Sequence, residues 1–236
     1  MAQIFVAEDN DKFQERLLTV ITENANNAIS TKDKFYIGIS GGSCVKYLVK
    51  VIQDTKSDTS KWVFFLCDER VVQEDSADSN YGATKSALEA VNINIPESQF
   101  VRIKQGVSAQ EAADDYIAKI KTYFTNESIP QFDLLFLGMG PDGHTCSLFP
   151  GHPLLNATSI VASITDSPKP PSERITLTLP VLNNANCVLF AVAGEEKAPI
   201  VKKILVDGDK SFPAALVTNP GKLLWILDPK AGKYVK

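Results

Sequence analysis

Histidine is scarce in this chain: His144 and His152 are the only two in 236 residues. The four cysteines, Cys44, Cys67, Cys146 and Cys187, lie far apart, and none belongs to a CxxC pair. Zinc sites draw on clusters of these two residue types, so no metal centre is expected. Scattered thiols in or beside apolar segments suit a reducing compartment and argue against a disulfide framework. No apolar run approaches the roughly 18 residues that a membrane span requires. The stretch from Met1 to Asp9 lacks the basic region and apolar core of a signal peptide, and the arginines of a transit sequence. A cytoplasmic location is the expectation. Positive charge is also in short supply, with 24 Lys and Arg against 28 Asp and Glu, a net charge of −4. That balance excludes a broad nucleic-acid surface. Any anion must be held by a local positive site.

What is present is an ordinary globular balance, 44% hydrophobic and 22% charged, over a length that suits one large domain, residues 1–236. Short apolar runs alternate with helical patterns. Strands are expected from Ile4 to Ala7, at Phe35–Ile39, Trp62–Leu66, Phe132–Leu137 and Cys187–Val192, and at Leu223–Leu227. Leu17, Leu18, Ile21 and Ala25 recur at helical spacing, as do Val45, Leu48, Val49 and Ile52, and Ala112, Ala113, Tyr116, Ile117 and Ile120. Continuous apolar strands separated by helices imply an α/β fold with a mainly parallel sheet covered on both faces. Ile175–Leu179 alternates instead and reads as a half-buried strand. No repeat, low-complexity segment or interdomain linker interrupts the pattern, and Pro168–Pro171 reads as a loop.

Ligands of such sheets bind beyond the carboxyl ends of the strands. Three strand ends here carry polar or Gly-rich segments: Ser40–Ser43, Asp68–Arg70 and Gly138–His144. In the first, glycines allow close backbone approach to an oxyanion and a helix start supplies unpaired N–H groups. The other reading is a tight turn with Ser43 as an N-cap. GxxxxGK[ST] is absent, so this is no nucleotide P-loop. At Asp68-Glu-Arg70, Arg70 is either an anion fork oriented by the acids or part of a solvated charge cluster. Asp78–Gly82 looks like a turn and helix cap, with Asn80 available as a polar substrate contact.

Gly138-Met-Gly-Pro-Asp-Gly143 contains GxGxxG after a strand, yet Pro141 interrupts it. The apolar Ser159–Ser163 also stands where a ribose-binding acid belongs. Dinucleotide binding is rejected, and no cofactor is expected. The loop instead presents Asp142 and His144. Imidazole exchanges a proton near neutral pH, and Asp142 would fix its tautomer and push its pKa upward. His152 reads as a loop residue and Cys146 as a small buried thiol. Arg174 is a second anion contact or an edge charge. Lys197, at a strand-to-helix junction, is a point charge for phosphate or a surface lysine.

Together, Ser40–Ser43, Asp68–Val72 with Ser79–Tyr81, Gly138–Pro150, Lys169–Thr176 with Leu179-Pro180, and Gly194–Lys197 resemble the 6-phosphogluconolactonase family, in family order and over most of the chain. The Cys146–Pro153 wording looks like its eukaryotic branch. The family shares its fold with glucosamine-6-phosphate deaminase. The resemblance implies hydrolysis of 6-phosphogluconolactone in the oxidative pentose phosphate pathway, without metal or cofactor, on a phosphorylated sugar lactone. It implies that His144 is the general base and that Arg70, Lys197 and the Ser40-Gly41-Gly42 loop hold the phosphate. Arg174 and Asn80 fall on motif positions. Cys44, where the family often has Thr, touches none of these. A deaminase would carry Asp-Glu-Tyr in place of Asp68-Glu-Arg70, and a non-catalytic sugar-phosphate sensor would have no need of His144.

Overall fold

The computed structural model describes residues 2–235. Chain order begins β1 (Gln3–Val6), α1 (Asn10–Lys32), β2 (Phe35–Ile39), α2 (Ser43–Asp54), β3 (Trp62–Leu66) and β4 (Asp68–Arg70). It continues α3 (Asn80–Glu89), β5 (Phe100–Val101), α4 (Ala109–Tyr123), β6 (Leu134–Leu137), β7 (Val161–Ile164) and β8 (Arg174–Leu177). The last part is α5 (Leu179–Leu182), β9 (Cys187–Val192), α6 (Ala198–Leu205), α7 (Pro213–Leu216) and β10 (Lys222–Leu227).

Seven strands form one sheet in the order β1-β10-β9-β6-β2-β3-β5, parallel at every pairing. Every residue of β3, β6 and β9 is buried. Successive side chains point to opposite faces, so cover on both faces is required, and helices supply it. Aromatic rings fill the inner layers: Phe190 stacks on Trp225 at 4.1 Å, and Phe35 meets Trp62 edge-on at 5.0 Å. Burying one such side chain stabilises the fold by about 1.5–3 kcal/mol. Helix α1 begins where the Asp9 carboxylate accepts from Lys12 N at 2.7 Å and buries Phe13, Leu17, Val20 and Ile21.

The topology places the site. Strands β9, β6, β2 and β3 are neighbours and parallel, so the segments after them leave the sheet side by side at one edge. These are Gly194–Lys197, Gly138–His144, Ser40–Gly42 and Asp68–Arg70. Strand order reverses between β2 and β6, which opens the crevice where ligands of such sheets sit.

A second, three-stranded antiparallel sheet, in the order β4-β8-β7, was not foreseen from the sequence. Cys67 joins it to the main sheet: its N–H donates to Ile39 O and its carbonyl accepts from Leu177 N, both at 2.8 Å. The alternation in Ile175–Leu179 predicted a half-buried strand. The strand is instead Arg174–Leu177 with every residue buried, because β8 is the central strand and is also covered by α4. Its polar position is satisfied internally, Thr176 Oγ1 accepting from Ser147 N at 3.2 Å. The apolar Ser159–Ser163 segment contributes most of β7. The charged Asp68–Arg70 forms β4, with Asp68 and Glu69 buried.

Candidate active site

Ser40 N–H is used by the sheet, donating to Phe136 O at 3.0 Å, which leaves its hydroxyl to define the loop. That Oγ is buried and has no hydrogen-bond partner among the described residues. Gly42, at φ 62°, is the N-cap of α2, so Ser43 is the first helical residue and not the cap; no side chain caps this helix. Val45 N–H closes back onto Gly42 O at 3.2 Å, and the N–H groups of Ser43 and Cys44, which no side chain caps among the described residues, are left for a ligand or solvent. Gly41 must be glycine, since a Cβ there would lie 1.8 Å from Asn80 Oδ1.

Strand β4 carries charges because each has a partner. Glu69 is buried at the start of α3, where its carboxylate accepts from the N–H groups of Arg70, Asn80 and Tyr81 at 2.7–2.8 Å. Burial pushes its pKa up, against those hydrogen bonds. Ser79 caps α3, its side chain accepting from Gly82 N. Asn80 donates through Nδ2 to Asp68 O at 2.8 Å and leans its Oδ1 on Gly41, bracing one strand-end loop against the next. Asp68 Oδ2 accepts from Ser147 Oγ at 2.8 Å. Arg70 donates from a terminal nitrogen to Asp78 O at 2.7 Å, while its Nε is buried without a partner among the described residues.

Beyond β6 the chain closes a tight loop, with Gly140 N–H bound to His144 O at 2.9 Å and Gly143 N–H to Gly140 O at 3.0 Å. A Cβ on Gly140 would lie 2.0 Å from the His144 ring. His144 Nδ1 lies 2.5 Å from Asp142 Oδ1. A carboxylate only accepts, so Nδ1 carries the proton and the Nε2 lone pair is free. The ring packs on Phe149 at 5.0 Å between centroids. Hydrogen bonds from His144 and Lys169 outweigh the burial that opposes ionisation of Asp142 and bring its pKa down to about 2. The expectation for His144 is corrected. Burial of the imidazole outweighs the pull of Asp142, and its pKa lies below the ordinary 6.5.

A cleft of about 220 Å³ is lined by Ser40, Gly41, Gly42, Arg70, Asn80, His144, Arg174 and Lys197, together with Asp68 and Cys146. Of the candidate site residues named from the sequence, Asp142 alone is outside that lining, against the imidazole Nδ1. Arg174 is no edge charge. It is 3% exposed and donates to the carbonyls of Pro171, Lys169 and Pro170 at 2.8–3.0 Å. Arg70 pairs with it across β4 and β8. Lys197 is no surface lysine either. Burial lowers its pKa, and Glu196 stands 3.7 Å away. Cys146, at φ 52°, has no hydrogen bond to His144 among the described residues. Sequence reasoning gave no role to Lys169, Ser147 or Gly140. Lys169 and Ser147 lay inside matched segments, and only the folding of distant loops reveals what they touch.

The family described as "Glucosamine-6-phosphate isomerases/6-phosphogluconolactonase" matches residues 8–225. The chain belongs to this family. Within it, human 6-phosphogluconolactonase is 48% identical over 210 residues, covering 86% of this chain and 81% of its own. A Drosophila melanogaster protein named "Probable 6-phosphogluconolactonase" is 44% identical over 238 residues, covering 99% of this chain and 96% of its own. The fold matches the solved 6-phosphogluconolactonase of Trypanosoma cruzi with a TM-score of 0.87 at 27% identity, over 100% of this chain and 97% of that one.

Proposed function

We propose that this chain hydrolyses 6-phospho-D-glucono-1,5-lactone to 6-phosphogluconate, with His144 as general base. One observation carries the reading: a single cleft joins an imidazole with a free Nε2 to buried, unpartnered donors suited to an anion. Arg70 and Arg174 face each other across paired strands, where like charges repel. A dianionic phosphate beside Arg70, Lys197, Ser40 Oγ and the α2 N-terminus relieves that repulsion and fills the open donors. Held there by C6, the substrate presents C1 to the imidazole.

The chemistry then balances around one nitrogen. Nε2 takes a proton from water as the water oxygen bonds to C1, and the carbonyl electron pair moves onto its oxygen. N–H groups of the Gly-rich loops stabilise that oxyanion. As the carbonyl re-forms, the bond from C1 to the ring oxygen breaks, and Nε2 returns its proton to that oxygen. The new carboxyl group ionises to solvent. General base catalysis of this kind contributes roughly 10²–10⁴-fold.

The test is acid release from freshly prepared lactone at constant pH, corrected for spontaneous hydrolysis, alongside ammonia release from glucosamine 6-phosphate. Catalysed acid release without ammonia is expected. Lactone decay at the background rate removes the reading, and ammonia release replaces it with a deaminase.

A further inference from the structure

Lys169 has no part in the reaction just described, yet it touches both groups that prepare the base. Its Nζ lies 2.9 Å from Asp142 Oδ2 and 3.2 Å from His144 Nδ1. With the 2.5 Å contact between Nδ1 and Asp142 Oδ1, the three groups close a triangle. Nδ1 donates to Asp142 and so has no lone pair for Lys169. The ammonium therefore bonds only the carboxylate and acts on the ring through its charge.

The backbone beneath that ammonium is fixed. Ser167 Oγ donates to Lys169 O at 2.8 Å, and the buried Arg174 donates to the same carbonyl at 3.0 Å. The side chain is 38% exposed, so its place is set by Asp142 and not by packing alone. The other charges around the imidazole are Asp68 from β4, Lys197 from the turn before α6, and Arg174, which lies over the Phe149 ring. Lys169 is the one cation in hydrogen-bond range of both Asp142 and His144 among the described residues.

We propose that Lys169 is a positioning residue for His144. It locks the Asp142 carboxylate onto Nδ1 and holds a positive charge beside the ring, so that His144 waits neutral and readily returns its acquired proton. The inference rests on His144 being the base. Without Lys169, Asp142 faces the imidazole alone and favours the imidazolium. The ring then stays charged to higher pH and holds the proton that the ring oxygen needs. Burial and the ammonium act in the same direction, which accounts for a lowered imidazole pKa despite an adjacent carboxylate.

Lys169→Met keeps the aliphatic stem and removes the charge, and Lys169→Arg restores the charge. Two readouts are needed: the pH dependence of kcat, and the NMR titration of His144 in the full-length protein. His152 gives the only other imidazole signal, and His144→Asn assigns the pair. Lys169→Met is expected to move the His144 titration and the acid limb of kcat upward together by about one pH unit, with affinity for 6-phosphogluconate kept within about twofold. Lys169→Arg should bring both back. If neither moves, the proposal is wrong. If affinity falls tenfold or more with the limb in place, Lys169 is a substrate contact instead. A titration that moves without the limb supports the effect of Lys169 on His144 and overturns His144 as the base. Should Lys169→Met fail to fold, Lys169→Gln gives the same two readouts, and in the unaltered protein the proposal requires the neutral ring to carry its proton on Nδ1. A neutral ring protonated on Nε2 overturns it.

Discussion

The two ends of the cleft are built on opposite plans. At the imidazole end, Asp142 and Lys169 satisfy one another and Nδ1, and only Nε2 is left open. At the other end, Ser40 Oγ and Arg70 Nε are buried without partners, and no side chain caps α2. Leaving buried donors unpaired costs about 1–3 kcal/mol each, a cost that a bound anion removes. Under the proposed function, one end is finished before substrate arrives and the other is completed by it. Replacements at the first should therefore damage turnover, and at the second should damage binding.

His144→Asn tests that division most severely. It keeps a polar group of similar size but takes up no proton in this range, so turnover should fall by about two to four orders of magnitude. Binding of 6-phosphogluconate, followed by calorimetry, should be nearly unchanged. Full background-corrected turnover would take His144 out of the mechanism.

Gly140→Ala drives a methyl group to within 2.0 Å of the imidazole and must displace it. A loss of about 10²-fold in kcat is expected, with product affinity retained. Equal losses in both would mean that the two ends are not separable.

At the anion end, Arg70→Ala or Lys197→Ala should weaken 6-phosphogluconate binding by about 1.5–3 kcal/mol, the worth of a charge-assisted hydrogen bond. If both variants bind as tightly as the parent, the phosphate lies elsewhere.

Acid pH sharpens the same contrast. Only neutral His144 accepts a proton, so kcat should hold until the pH falls through a pKa that burial has placed below 6.5, and drop beneath it. An acid limb centred above 6.5 would mean that Asp142 outweighs burial. Cys146→Ala should do least, a change of about twofold or less in kcat, since that thiol makes no hydrogen bond to His144 among the described residues. Inactivity of the folded variant would point to a covalent intermediate.

The main sheet was legible because its strands are continuous apolar runs, and full burial leaves no other pattern open to Trp62–Leu66 or Cys187–Val192. The small sheet was not. Asp68-Glu-Arg70 has the composition of a surface turn, and it becomes a strand only because Ser147, Asn80 and the start of α3 reach it from elsewhere. In Arg174–Leu177, alternation suggested a half-exposed strand, but tertiary cover overrode the pattern. Residues that line the cleft were legible where Gly-rich segments ended predicted strands. What Lys169 touches was not, because a matched segment does not show its contacts and its partners lie some 25 residues back along the chain. The direction of the His144 shift also escaped, because charge neighbours can be read from sequence and burial cannot.

The pairing of β1 with β10 has a consequence for synthesis. Val6 and its neighbours are translated some 200 residues before Lys222–Leu227, their one strand partner among the described residues. Until Lys222–Leu227 has been translated, that strand waits without a ladder to join, and α1 lacks the β10 surface it packs on. The β1 edge of the sheet thus closes only once β10 has been made. A nascent chain stalled before Lys222 should show β1 amides exchanging freely with solvent, and release of the full length should protect them.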